Sequence, residues 1–113
     1  MDRNEQIMNV LADLNKINNI VEQSQDTMNE ILKGIASDKL HYTASELKDC
    51  ADSYNSTMET AKQRYSEMAL VLTVVAPSSL GLMDNMLDSL VKMHSSTKNA
   101  IDATIGYLTK LSD

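Results

Sequence analysis

The chain has no tryptophan and no phenylalanine, and its only aromatic residues are Tyr42, Tyr54, Tyr65 and Tyr107. A core without large rings must be filled by aliphatics, alanine and the eight methionines. Such side chains interdigitate across narrow helix–helix seams better than they fill a thick sandwich. Glycine and proline are scarce as well, being limited to Gly34, Gly81, Gly106 and Pro77. An all-β chain of 113 residues needs many turns and more of both residues. So few breaks mean few, long elements.

Cys50 is alone, which excludes an internal disulfide framework and leaves the redox compartment open. No cluster of lysine and arginine is present to follow a phosphate backbone. The formal charge is −6, with the acids spread along the chain. Nucleic acid is therefore not an expected partner, and anionic lipid is disfavoured. Residues 1–10 hold Asp2, Arg3 and Glu5 and no apolar run, so a signal peptide is not expected. The longest uncharged stretch, Met68–Met83, is too short for a spanning helix and is interrupted by Pro77 and Ser78-Ser79. The expected location is the cytoplasm, with leaderless secretion as the alternative.

What the sequence does contain is a seven-residue rhythm. Ile7, Val10, Leu14, Ile17, Val21, Ser24, Met28 and Ile31 follow one another at alternating steps of three and four. That is one stripe of an α-helix, apolar except at Ser24. Asp2 and Glu5 form a capping pair at its start, and Lys33-Gly34 resembles a C-terminal stop, so the first helix is expected over about residues 3–33. Thr43-Ala44-Ser45-Glu46 is a capping box, with Tyr42 and Leu47 placed as a hydrophobic staple. The stripe then resumes at Leu47, Ala51, Tyr54, Met58, Ala61, Tyr65, Met68, Leu72 and Val75. Pro77 ends it, so the second helix is expected over about 44–75. A third stripe runs through Leu80, Met83, Leu87, Leu90, His94, Thr97, Ile101, Thr104, Leu108 and Leu111. It gives a helix over about 79–112, capped by Ser78 or Ser79. The weak helix formers Ser95-Ser96-Thr97 mark where that helix could break.

These elements predict an all-α, single-domain protein over residues 1–113. The architecture is an elongated, coiled-coil-like, antiparallel up-down-up bundle of three helices, each roughly 45 Å long. Partner numbers across the first two helices should sum to about 78, and across the last two to about 155. This register groups Ile17 with Ala61 and His94, and Ser24 with Tyr54 and Ile101. Ser24 is then a short residue that makes room for the Tyr54 ring.

Chemistry finds little support in this sequence. No His-x-x-x-His or Glu-x-x-His spacing occurs, and Asp38 with His41 is a single loop pair. His94, on the apolar stripe, reads as a core histidine. Asp49 and Asp52 flank Cys50 with negative charge, the opposite of what a thiolate nucleophile needs. Glu46 and Asp49 read as part of a solvated helix face shared with Lys48. No phosphate-binding glycine loop and no nucleophile elbow is found. The expectation is therefore no enzymatic activity, no catalytic residue, no cofactor and no metal.

Two apolar features remain. Residues 68–83 are apolar around most of the helix and past the turn, and the topology sets this hairpin tip beside Ile7, Met8 and Leu11. The third helix has a second apolar row in Leu82, Met86, Met93, Ala100 and Tyr107. That row either packs against two neighbours or receives another helix. Large apolar patches mark interfaces, and methionine suits adaptable ones. The expected interaction residues are Met8, Leu11, Leu70, Val74, Leu82, Met86 and Met93. The leading expectation is a protein–protein interaction module, such as an adaptor, assembly factor or secretion-type chaperone, acting as a homo-oligomer, with a dimer as the simplest form. The alternatives are a membrane-active translocator or secreted effector that uses the tip, and a small inhibitor or immunity protein.

Overall fold

The computed structural model describes residues 2–112; Met1 and Asp113, both inside the expected domain, lie outside the described residues. Three helices dominate: α1 (Arg3–Ala36), α2 (Ala44–Val75) and α3 (Leu80–Ser112), with a single 3-10 turn at Pro77–Ser79. Among the described residues there is no strand. The principal extents are 61 × 19 × 18 Å, so the bundle is a rod.

Local chemistry explains most helix ends. Asp2 is extended and its carboxylate accepts from Glu5 N–H at 2.8 Å, satisfying one free donor of the first turn. Thr43 and Glu46 form the complete capping box: Glu46 N–H donates to Thr43 Oγ1 at 3.0 Å, and Thr43 N–H to Glu46 Oε1 at 3.2 Å. Glu46 is thus engaged in capping the start of α2.

Two helix ends differ from expectation. First, α1 runs three residues past Lys33, to Ala36. The stop is made by Asp38, which takes the left-handed conformation at φ 61°. Lys39 N–H donates to Gly34 O at 2.8 Å and Asp38 N–H to Ile35 O at 3.1 Å, the paired bonds of a Schellman ending. Gly34 lies inside the helix for another reason. Leu40 folds back over it, and a Cβ there would sit 2.5 Å from Leu40 Cγ. Second, Ser78 and Ser79, the expected caps of α3, both lie inside a 3-10 turn that no side chain caps. Pro77, with its fixed φ and missing N–H, starts a 3-10 turn that runs directly into the helix. The third helix is continuous as expected: α3 passes through Ser95-Ser96-Thr97 without a break. Thr97 is buried and hydrogen-bonded, so tertiary contact outweighs weak propensity.

The heptad stripes form the core. Val10, Leu14, Ile17, Val21 and Met28 of α1 are buried, as is every stripe residue of α2 from Leu47 to Val75. Met83, Leu90, His94, Thr97, Ile101 and Leu108 are buried on α3. Contacts between α1 and α2 fall in reverse order along the two helices: Arg3 with Val75, Asp13 with Arg64, and Gln25 with Tyr54. The Arg3 Nε–H donates to the Val75 carbonyl at 2.5 Å, satisfying one of the acceptors left free where α2 ends.

Two positions on the stripes are corrected. Gln25, not Ser24, takes the buried place on α1, while Ser24 stays half-buried at the seam's edge. Leu111, expected on the inner stripe, is 64% exposed. On the α2 side, His94 meets Tyr54 and Asn55, which lie nearer the start of α2 than the Ala61 expected level with it. Asn55 supplies an acceptor for its buried ring nitrogen.

Candidate interaction surface

Two sides of the rod divide the seven expected interaction residues. On α2, Leu70 lies about 200° round the helix from the buried Met68 at 100° per residue, and Val74 shares its face. Both point away from the bundle and are among its barest aliphatics, at 72% and 82% exposure. Leu11 stands one heptad before Asn18, and Met8 three residues before Leu11. Asn18 lines a groove between α1 and α3, so Met8 and Leu11 lie on the α3 side of α1. Both are exposed. On α3, Met86 and Met93 line that same groove and are half-buried. Leu82, one turn before Met86, is 63% exposed. Leu70 and Val74 therefore form one surface, and the other five belong to another.

The groove between α1 and α3 measures about 320 Å³, with Tyr65 of α2 as its floor and Asn18, Val21, Ser89 and Leu90 among its walls. Near the opposite end of the rod, Ile35 and Ala36 of α1 face Ala103, Thr104 and Tyr107 of α3 across a second depression. The residues that join these two places on α3 are Ser96 and Ala100, at steps of three and four. The whole α3 wall from Leu82 to Tyr107 carries no charged residue at these steps. The cleft between α1 and α2 differs: Asp13, Lys16 and Arg64 line it, and Asp13 pairs with Arg64 at 3.6 Å.

Beneath this face lies a polar cluster that the stripe pattern missed. Gln25 Nε2 donates to Thr97 Oγ1 at 2.7 Å, and Tyr54 OH donates to Gln25 Oε1 at 2.5 Å. One amide thus joins all three helices. The Tyr65 hydroxyl donates to Asn18 Oδ1. Burial pushes both phenols up, and the Thr97 hydroxyl beside Tyr54 pulls that one part of the way back. Among the described residues, no buried side-chain nitrogen or oxygen is left without a partner.

His94 stacks edge-on against Tyr54, with ring centroids 5.6 Å apart, and its Nε2 lies 2.8 Å from Asn55 Oδ1. Glu59 is 3.8 Å from Nδ1. Burial pushes the imidazole below its usual range; Lys62 adds to this, Glu59 opposes it, and Lys98 adds a little more. The unfolded chain therefore binds this proton more readily than the folded one. The histidine contribution to stability is complete above the ordinary value of about 6.5 and is lost as pH falls from there. The urea midpoint is expected to drop between pH 7 and pH 5, and His94→Gln should flatten that drop. Equal pH dependence in the two proteins would refute this assignment.

The other titratable candidates are not assembled into a centre. Asp38 and His41 meet at 3.6 Å on an exposed loop. Cys50 is half-buried and borders a depression with Ser24, Met28 and Tyr54. Among the described residues, no three His, Cys, Asp or Glu side chains come together as a metal site, and no helix is long and apolar enough to cross a membrane. The fold and surface thus define an all-α helical bundle with bare aliphatic faces. No protein-family model matches the chain, and no curated protein or solved structure matches it.

Proposed function

We propose that this protein is a non-enzymatic protein–protein interaction module that acts through apolar helix surfaces as a homo-oligomer. Helical adaptor, assembly factor and secretion-type chaperone are the roles that fit. The supporting observation is the row Leu82, Met86 and Met93 on α3: Leu82 is exposed, and Met86 and Met93 pack against the core with part of each side chain left bare. Aliphatic surface that the fold leaves uncovered is best accounted for by a partner helix. The cytoplasm is the proposed compartment, with leaderless export as the alternative.

Leu82→Asp combined with Met86→Asp should leave the far-ultraviolet circular dichroism helical and convert the oligomer to a monomer in sedimentation equilibrium. An unchanged mass would count against the reading. A second reading is favoured by Leu70, Val71 and Val74, which are all exposed at the hairpin end. In that reading the tip dips into lipid without spanning it, and the chain floats with liposomes in a density gradient. The first reading leaves it in the soluble fraction.

A further inference from the structure

We infer that the α1/α3 face is where a second copy of this chain docks, with α3 packed antiparallel on α3 about an axis near Ser96. The inference rests on the self-associating module proposed above and adds its geometry. Area decides between the two bare surfaces. A stable protein interface removes about 800 Å² from each partner. The end of the rod, 19 × 18 Å, offers about 340 Å² and falls short of that requirement. A long side, 61 × 19 Å, offers about 1,200 Å² and exceeds it.

Charge decides which long side. Two chains of −6 repel, so the contact must lie where the acids do not. The α3 wall of the groove has no charge along Leu82, Met86, Ser89, Met93, Ser96 and Ala100. Glu22, one turn after Asn18, stands at the edge of the opposite wall. Along the cleft between α1 and α2, by contrast, a partner would have to bury Asp13, Lys16 and Arg64.

The order of side chains sets the direction. The α3 row is bulky at both ends, in Leu82, Met86, Tyr107 and Leu111, and small in the middle, at Ser96 and Ala100. Small residues at the crossing let two helices approach closely. Antiparallel pairing about Ser96 brings Met86 level with Tyr107 of the second copy, Met93 with Ala100, and Leu82 with Leu111. Lys92, which meets Asp88 on its own helix at 2.9 Å, comes level with the second copy's Asp102, and Lys110 with its Asp84. Parallel pairing sets each of these charges level with its own duplicate and aligns the two helix dipoles.

Cysteine cross-linking in a Cys50→Ser background tests this together with sedimentation of the same samples. Ser96→Cys is expected to give a covalent dimer on a denaturing gel under mild oxidation. Met86→Cys and Tyr107→Cys chains are expected to couple when mixed and not when alone. Val74→Cys, at the barest large aliphatic position on the described surface, controls for random collision and should stay single. A dimeric mass with coupling at Val74→Cys and none at Ser96→Cys overturns this face while leaving the self-associating module intact. Self-coupling of Met86→Cys overturns the antiparallel direction. A monomeric mass at every concentration overturns both the face and the homo-oligomer.

Discussion

Gln25→Ala is expected to lower the folding free energy by roughly 1 to 3 kcal/mol, because it removes two buried hydrogen bonds at once and leaves the Tyr54 and Thr97 hydroxyls with only each other. Tyr54 OH loses its Gln25 acceptor and Thr97 Oγ1 loses its Gln25 donor in the same change. A neutral hydrogen bond removed with both its partners costs little, whereas a buried group left unpaired costs its full desolvation. The triple variant Gln25→Leu, Tyr54→Phe, Thr97→Val should therefore recover most of the loss. Urea denaturation measures both, with the midpoint falling and the slope unchanged. If Gln25→Ala costs less than about 0.5 kcal/mol, the range of an ordinary surface change, the cluster is not closed in the way described. The triple variant has a further use. A polar residue within an apolar seam penalises every register but one, so its removal should broaden the core resonances even where stability returns.

Ile101→Ala carries the other large effect. This side chain is 1% exposed on α3, among the largest fully buried side chains of the core. Truncating such a residue costs about 2 to 5 kcal/mol, or upwards of roughly 10 °C in the melting temperature of a domain near this size. Leu111→Ala, nearly three turns along the same helix and well exposed, should fall within about 0.5 kcal/mol of the parent. Equal losses at the two sites would show that the inner and outer rows of α3 have been confused. Leu82→Ala belongs with Leu111→Ala for the stability of the single chain, and both should weaken self-association, because the two residues meet across the proposed seam.

These two experiments also mark what the sequence can and cannot disclose. Steps of three and four are a direct projection of the helix, so the inner stripes of all three helices, and the box at Thr43 and Glu46, are legible in the residues alone. Gln25 is not, because it and Ser24 both border the seam. The choice between them is made by Thr97 and Tyr54, which lie 72 and 29 residues away. Gly34 reads as a stop because a glycine near the end of a stripe looks the same whether it ends the helix or admits a neighbour. Leu40 decides, by lying across it. The bare surface shows the same limit. Hydropathy marks Leu70, Val74 and Leu82 as one greasy end, but not the direction each faces, and the fold turns them to different sides.

The amide of Gln25 reaches across 72 positions of chain to Thr97, from the first helix to the last. Each neighbouring pair of helices is joined by a short connection and can close early, whereas this bond must wait until both hairpins exist. It acts as a late clasp. Weakening it is therefore expected to shorten the time the closed bundle survives more than it slows the first collapse.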